Sequence, residues 1–192
     1  MTKIWRYVVR YDDGLAPCVE NGYLSLACCK PVIRKGAIKD DWVVGFHKKA
    51  VGDAMLCYAM RVTEHPIPYM DYWNDHRFRG RRDNIYRFAN GKLEWVRNAF
   101  SDHDDETNHE TDRSGRQALV SQEYWYFNEG ESFSLYDHLD EAIVSRLLHA
   151  GRGQKYNGLL DGDFPALLRY LDQNRPKGSG SEPKMGARRN SC

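Results

Sequence analysis

Short apolar runs rich in aromatic and β-branched residues recur through most of the chain, and turn residues end several of them. Side chains of these types pack well on a pleated, half-buried surface, so such runs are typical of β-strands. The pattern predicts a β-rich first part. The predicted strands are Ile4–Tyr11, Tyr23–Cys29, Trp42–Phe46, Met55–Thr63 and Ala118–Phe127.

The clearest local signal is the dipeptide Asn90-Gly91, which lies between two short runs of strand composition, Ile85–Phe88 and Lys92–Val96. Both central residues of a type I′ turn need a positive φ, which Asn and Gly accept. The segment therefore predicts a β-hairpin.

Helical spacing of apolar residues, together with capping residues, predicts three helices, two of them near the C-terminus. They are Tyr69–Phe78, Tyr136–Ala150 and Phe164–Leu171. The run at 101–116 has almost no apolar residue and predicts a long loop.

A chain of 192 residues with 41% hydrophobic residues supports one sizeable core. We expect an α+β fold, with a curved mixed sheet or partly open PUA-like β-barrel and C-terminal helices, in one domain over residues 1–174. Residues 175–192 are rich in Gly, Pro, Ser and basic residues, and this composition predicts a disordered basic tail.

The formal net charge is +1, so attraction to phosphate must come from local clusters rather than from the whole molecule. Five cysteines without a C-x-x-C pair indicate reduced thiols rather than a disulfide framework or a four-ligand zinc site. No stretch approaches ~18 uninterrupted apolar residues. The sequence therefore predicts a cytoplasmic protein without a membrane partner, and it leaves the oligomeric state open.

The segment Tyr69–Arg82, called here the aromatic-basic segment, is first aromatic and then rich in arginine. Arginine forks match phosphate oxygens, and aromatic faces stack on bases with about 1–3 kcal/mol per base. The segment predicts a nucleic-acid-binding surface; the alternative is a solvated basic loop that pairs with the acidic residues at 102–112. The predicted binding residues are Tyr72, Trp73, Arg77, Arg79, Arg81 and Arg82.

The segment Tyr7–Phe46, together with the motifs YAMRVTE, YWND, DNIY and LVSQEYWYF, resembles the nucleotide-modification-associated domain family, second type. The resemblance implies a role around altered bases in DNA-modification, phage or defence systems, and it implies no particular reaction. The chain departs from the family pattern at Asp40, where a glycine is expected, and at Cys18 and Cys28, where Asn-like and Thr-like residues are more usual. The order of motifs also resembles small barrels of the PUA, ASCH and EVE kind, which bind RNA or flipped, modified bases.

The loops in the most family-like part of the chain predict a polar pocket lined by Asp12, Cys29, Lys30 and Arg34. Lys30 and Arg34 would recognise an anion, and Asp12 would accept a hydrogen bond from a base edge, as in the recognition of flipped bases. The structural alternative is that Asp12 belongs to a simple turn and that Cys29 is a small buried residue.

The polar run at 101–116 carries carboxylates and imidazoles at high density, which suits a general acid and base or a divalent ion, although no spacing matches a known metal motif. An enzyme of this kind would be a hydrolase, nuclease or transferase acting on modified nucleotides or DNA, with His103 and Asp105 as catalytic residues. The leading hypothesis is a non-catalytic reader or accessory module that binds DNA or a modified nucleotide without a cofactor or metal.

Overall fold

The computed structural model describes residues 2–47, 54–96, 106–128, 130–148, 155–157 and 163–175. The strands among these residues are β1 Ile4–Val9, β2 Cys18–Glu20, β3 Tyr23–Leu26, β4 Trp42–His47, β5 Leu56–Arg61, β6 Ile67–Pro68, β7 Tyr86–Ala89, β8 Lys92–Trp95, β9 Gln117–Ser121, β10 Glu123–Tyr126 and β11 Lys155–Asn157. The helices are α1 Pro31–Gly36, α2 Tyr69–Asn74, α3 Glu106–Gly115, α4 Glu141–Leu148 and α5 Asp163–Asn174.

The strands form a five-stranded sheet, a four-stranded sheet and a separate hairpin. The five-stranded sheet has the order β10-β5-β4-β1-β11, and the four-stranded sheet has the order β2-β3-β9-β6. In the larger sheet β1 and β4 run parallel, whereas the other neighbours run antiparallel, so this sheet is mixed. The hairpin is β7-β8.

Each face of the five-stranded sheet is covered by a different layer. On one face, Tyr7 and Val43 share a buried cluster with Leu24 of β3 and Leu119 of β9, so the two sheets pack face to face. Alternate residues of a strand point to opposite faces. The other face therefore carries a second cluster, which holds Trp42 and Trp125 with Val144, Phe164 and Leu167 of helices α4 and α5.

The side chain of Arg6 joins the five-stranded sheet to the end of helix α4. Its guanidinium donates to the backbone carbonyls of Arg146, at 2.8 Å, and of Leu147. The last carbonyls of a helix have no partner within the helix, and a cation there also interacts favourably with the helix dipole. Burial lowers the pKa of Arg6 to about 10, so the group is still charged at neutral pH.

The structure confirms the α+β fold, with a mixed sheet and helices at the C-terminal end, and the described strands form no closed barrel. The Asn90-Gly91 hairpin is also confirmed, with φ values of 53° and 76°. Asp40 has a φ of 74°, which explains why a glycine suits this position, since only glycine adopts that region without a steric penalty.

The prediction of a loop over 101–116 is wrong for its second part, because Glu106–Gly115 forms helix α3. The helix buries His109, Asp112 and Gly115, which lie three residues apart along one face. Tertiary contacts therefore stabilise a helix whose sequence lacks an apolar stripe. The predicted helix at Tyr136–Ala150 begins later than expected, at Glu141, after a 3-10 turn at Leu135–Asp137.

Among the described cysteines, Cys18, Cys28 and Cys57 are not disulfide-bonded and are buried. Cys29 is disulfide-bonded, so the expectation that every cysteine is a reduced thiol is wrong at this position. Within the described ranges, no helix is both long and apolar enough to cross a membrane. The predicted tail falls almost wholly outside the described residues.

Candidate functional site

Four strand ends meet at one edge of the five-stranded sheet. Because β1 and β4 run parallel, with Val9 beside His47, both strands end at this edge. Strand β5 begins there and β10 ends there, since each runs antiparallel to its neighbour. The loop after β1, which carries Asp12, therefore lies next to the end of β4. In open α/β sheets, ligands commonly bind beyond the carboxyl ends of parallel strands.

A β-bulge places Cys57 at this edge. Gly45 pairs with Tyr58 and Phe46 pairs with Leu56, so Cys57 is the extra residue in the ladder. As a result Cys57 and Tyr58 both lie in the cluster between the two sheets, whereas Leu56 lies in the cluster under the helices. Bulges change the direction of a side chain in this way and are frequent beside functional sites.

The bulge brings a thiol, an imidazole and a carboxylate together. One ligand atom from each of Asp12, His47 and Cys57 lies within 4.8 Å of the other two. The hydroxyl of Tyr126 donates to Asp12 Oδ2 at 2.5 Å, and Cys57 Sγ lies 3.9 Å from the same oxygen. His47 Nε2 lies 3.0 Å from the backbone carbonyl of Phe127. We call Asp12, His47, Cys57 and Tyr126 the sheet-edge cluster.

Tyr126 of this cluster and two neighbouring tyrosines, Tyr7 and Tyr58, carry neutral hydroxyl groups. Burial raises the pKa of Tyr126, and the nearby Asp12 carboxylate raises it further. Burial also raises the pKa values of Tyr7 and Tyr58, whose hydroxyl oxygens are 3.0 Å apart. All three phenols therefore remain protonated at neutral pH, and each can donate a hydrogen bond.

Lys30 lies above the tyrosines, with its Nζ atom 4.8 Å from the centroid of the Tyr7 ring. Cys29 and Lys30 both adopt positive φ, at 53° and 46°, a conformation that costs non-glycine residues on the order of 1 kcal/mol each. Burial lowers the pKa of Lys30, and the charge of Arg10 lowers it further. Neither Lys30 nor Arg10 forms a salt bridge with another described residue.

A buried network holds the strained backbone in place. Asp112 accepts a hydrogen bond from the backbone N–H of Cys29 and another, at 2.9 Å, from the Tyr86 hydroxyl. Arg34 donates from Nε to the Cys29 carbonyl at 2.5 Å and from Nη2 to the Asp112 carbonyl at 2.7 Å. The side chains of Arg34 and Asp112 are almost wholly buried. The network therefore fixes the position from which Lys30 projects.

The structure brings some of the predicted pocket residues together and separates others. Asp12 and Lys30 both border Tyr7, because Lys30 covers its ring and the Asp12 charge contributes to its raised pKa. Arg34 instead reaches Asp112, and Cys29 contributes backbone groups to that network. Arg34 and Cys29 thus belong to the buried network that holds the backbone at Lys30. Their predicted contact with a ligand stays a prediction.

Two of the predicted binding residues in the aromatic-basic segment lie in the core. Arg81 is buried and donates to Ser25 Oγ at 2.7 Å, and its Nε lies 3.4 Å from Asp83 Oδ1. Tyr72 is buried as well and donates to the same carboxylate at 3.0 Å. These contacts attach the segment to strand β3, so both side chains are occupied within the protein.

The other predicted residues of this segment lie nearer to solvent. Arg79 is exposed and Trp73 is half-buried, whereas Arg77 and Arg82 form ion pairs with carboxylates. The pairs are Arg77–Asp75 at 2.7 Å, Arg77–Glu64 at 2.7 Å and Arg82–Glu20 at 2.9 Å. A role for these residues in holding nucleic acid stays a prediction.

The residues predicted for a catalytic role, His103 and Asp105, lie outside the described residues. His109 and Asp112 from the same polar run belong to helix α3 and are buried. His109 packs edge-on against Trp95, with ring centroids 4.8 Å apart. Within the described part of this run, the buried polar groups therefore attach α3 to its neighbours.

Sequence reasoning missed His47, Cys57 and Tyr126. The one available signal was that His47 directly follows the apolar run Trp42–Phe46, where a parallel strand would end. Parallel pairing with β1 was not foreseen, and neither a bulge nor a contact between residues so far apart in the chain has a local sequence signal.

Comparison with known proteins identifies one family. The family model described as nucleotide modification associated domain 2 matches residues 1–186 of the chain. No curated protein and no solved structure matches the chain.

Proposed function

We propose that this chain, which belongs to the nucleotide modification associated domain 2 family, is a binding module for modified nucleotides or for nucleic acid that carries modified bases. The ligand would lie at the edge of the five-stranded sheet, with its phosphate at Arg10 and Lys30 and its base near the sheet-edge cluster. Such a module would act as a reader or accessory protein in a DNA-modification, phage or defence system.

The observation that carries this proposal is the placement of Lys30. The residue is held in an unfavourable backbone conformation by a buried network, and its charge is partly desolvated beside a second cation, Arg10. Strained, desolvated residues cluster at functional sites, where the surrounding structure maintains them. A phosphate bound between the two cations would relieve their repulsion and accept hydrogen bonds from both.

The neighbouring groups suit a nucleobase. Asp12 is half-buried and accepts hydrogen bonds, which matches the amino and imino donors of a base edge. The Tyr126 hydroxyl donates its one proton to Asp12, and the lone pairs of its oxygen remain as further acceptors. Because a base edge presents donors to such acceptors, these groups support recognition of a base and not of phosphate alone.

The test is a binding screen with the full chain against free nucleotides and single-stranded and duplex DNA that carry different base modifications. Lys30→Gln and Arg10→Gln should each weaken binding at least fivefold and lower the slope of log K against log salt by about 1. Lys35→Gln is the matched control, because Lys35 is an exposed lysine on α1, close to Lys30 in the chain.

Two results would overturn the proposal. One is the absence of measurable binding to every modified nucleotide and DNA in the screen. The other is binding that is reduced equally by the control variant and by the two site variants, since a nonspecific basic surface would give that result.

A second candidate function is an enzyme acting on modified nucleotides or DNA. The proximity of a thiol, an imidazole and a carboxylate in the sheet-edge cluster favours it, because nucleophile, base and orienting group need such an arrangement. Turnover should then be lost in His47→Ala. Loss of turnover in His103→Ala or Asp105→Ala, with an active His47→Ala variant, would instead favour the polar run at 101–116.

A further inference from the structure

We propose that Asp12, His47 and Cys57 form a binding site for one divalent transition-metal ion of the zinc type. This site goes beyond nucleotide recognition and does not depend on it, because the metal would bind in the absence of any nucleotide. Three observations support the proposal: the spacing of the three side chains, the hydrogen bonds that orient two of them, and the chemistry of the donor atoms.

The spacing is close to that of a metal site. One ligand atom from each residue lies within 4.8 Å of the other two. Zinc binds sulfur at ~2.3 Å and nitrogen or oxygen at ~2.0–2.2 Å, so tetrahedral ligands lie about 3.3–3.8 Å apart. The three atoms need to approach one another by about 1 Å, which small side-chain rotations supply.

Two of these side chains are oriented by groups at the end of strand β10. A carbonyl oxygen only accepts hydrogen bonds, so the 3.0 Å contact with the Phe127 carbonyl assigns the proton of a neutral His47 ring to Nε2. The lone pair of Nδ1 then remains for a metal. The Tyr126 hydroxyl holds the Asp12 carboxylate in the same way, at 2.5 Å.

Hydrogen bonds of this type are the usual second layer of metal sites. Metal-binding histidines typically donate their other ring N–H to a carbonyl or carboxylate, and metal-binding carboxylates are hydrogen-bonded in turn. A buried histidine that only filled space in the core would not need a carboxylate and a thiol beside it. The arrangement at the sheet edge therefore resembles a supported ligand set.

The donor atoms select the class of metal. A thiolate and an imidazole favour zinc and the neighbouring first-row transition metals, whereas magnesium and calcium prefer sites made of oxygen alone. Within the described residues the set contains three ligands, and a tetrahedral ion then keeps one position for water or a substrate atom. This is the coordination of catalytic rather than structural zinc sites.

The rigidity of the scaffold differs between the ligands. His47 and Cys57 lie on strands β4 and β5, which pair with each other, whereas Asp12 lies in the loop after β1. The Asp12 side chain, which a loop carries, is therefore the ligand that rotates most readily toward the other two. Sites on paired strands hold their geometry better than sites on loops.

The experiment uses the full chain after treatment with a chelator. Titration with zinc should show one ion per chain, and titration with cobalt(II) should produce the strong charge-transfer absorption of a sulfur–cobalt bond. Cys57→Ser should abolish this absorption, and His47→Gln and Asp12→Asn should each weaken zinc binding at least tenfold. Bound zinc should also raise the thermal midpoint of the wild type, because a ligand that binds only the folded state stabilises it.

Controls separate this site from other ligands in the chain. Cys28→Ala should retain the cobalt absorption, since Cys28 is a free, buried thiol in a different cluster from Cys57. His103→Ala should retain one bound zinc ion. Circular dichroism of each apo variant checks folding, and His47→Gln and Asp12→Asn keep the test valid if Cys57→Ser does not fold.

Clear outcomes contradict the proposal. It fails if wild type binds no zinc, if the cobalt absorption persists in Cys57→Ser, or if His47→Gln and Asp12→Asn bind zinc as tightly as wild type. Since none of these measurements involves a nucleotide, their failure leaves the proposed binding function untouched, and failure of nucleotide binding leaves this site untouched.

Discussion

The hydroxyl of Tyr126 donates a 2.5 Å hydrogen bond to Oδ2 of Asp12, a residue 114 positions earlier in the chain. The contact joins the end of strand β10 to the loop after β1, and it holds Asp12 within the sheet-edge cluster. It orients the carboxylate that both the proposed nucleotide site and the proposed metal site use.

Replacing Tyr126 by phenylalanine removes this hydrogen bond and keeps the ring. Removing this charge-assisted hydrogen bond from a partly buried carboxylate should lower the free energy of unfolding by about 1–3 kcal/mol. Urea unfolding at neutral pH measures the loss. The control is Tyr124→Phe on the same strand, because the Tyr124 hydroxyl bonds no other described residue. Equal losses in the two variants would contradict a special role for the Tyr126 contact.

Substitution by alanine should lower the stability of the protein strongly at Arg81 and hardly at all at Arg79. Arg81→Ala leaves the buried Asp83 carboxylate without its cation, and breaking a buried pair typically costs about 3–5 kcal/mol of stability. Arg79→Ala removes an exposed side chain and should change stability by less than ~0.5 kcal/mol. Thermal or denaturant unfolding compares the two.

The same pair tests the aromatic-basic segment. If Arg79 contacts nucleic acid, Arg79→Ala lowers affinity for DNA while its unfolding curve stays unchanged. Unchanged affinity in Arg79→Ala would remove this exposed arginine from the predicted surface. Loss of binding in Arg81→Ala alone would report unfolding and not a lost phosphate contact.

Gly45 is needed for the packing of Tyr58. A Cβ atom at position 45 would lie 2.4 Å from Tyr58 Cε1 and 3.0 Å from Val9 Cγ2. Gly45→Ala should therefore destabilise the protein by about 1–3 kcal/mol through overpacking. The check is a double-mutant cycle with Tyr58→Leu, in which the smaller side chain relieves the clash. Strictly additive losses would show that the two positions do not interact.

Lys30 should make stability rise with pH in the alkaline range. Burial lowers its folded-state pKa below the ordinary 10.5, and the Arg10 charge lowers it further, while Asp112 raises it. Between the folded and unfolded pKa values the unfolded chain binds more protons, so stability increases as pH rises through this interval. Below the folded pKa the desolvation penalty is complete.

Lys30→Met removes this titration. The gain in stability of the variant over wild type should be larger at neutral pH than at pH 10.5. The stability of the variant should also depend less on alkaline pH. Lys35→Met, at an exposed lysine on helix α1 that follows Lys30, controls for the general loss of one positive charge. The assignment is wrong if Lys30→Met and wild type show the same slope.

Asp40 offers a test of backbone conformation, because an aspartate here adopts a positive φ. Its φ of 74° costs an aspartate about 1 kcal/mol, which Asp40→Gly recovers. The same change removes an exposed ion pair with Arg61, worth about 0–1 kcal/mol. We expect Asp40→Gly to be nearly neutral in denaturant unfolding. Asp40→Val should be clearly destabilising, because a branched side chain tolerates positive φ poorly.

Much of the secondary structure was predictable because its causes are local. The Asn90-Gly91 turn needs two residues that accept positive φ, and the sequence shows them directly. The same dipeptide occurs at Asn21-Gly22, again with positive φ at both residues, and it is an equally local signal for the β2-β3 hairpin. Helix α3 was missed because burial of His109 and Asp112, not periodicity, stabilises it.

The candidate site was predictable only in part. Asp12 and Lys30 could be predicted as candidates because charged residues in loops are visible in the sequence. The placement of Arg34 and Arg81 was not, since Arg34 reaches the distant Asp112 and Arg81 reaches the distant Ser25, and both guanidinium groups are buried there. A cation's residue type shows its charge, but only the fold shows whether that charge faces solvent.

The amino-acid sequence by itself determined the α+β class, most strand positions and the family, because turn chemistry, side-chain alternation and motif order are properties of neighbouring residues. Only the tertiary structure decided that His47, Cys57 and Tyr126 meet Asp12. That meeting depends on parallel pairing of β1 with β4 and on one extra residue in β5. Both result from packing of the whole sheet between two layers. This packing depends on many contacts between residues that are far apart in the chain, so no single segment of the sequence predicts it.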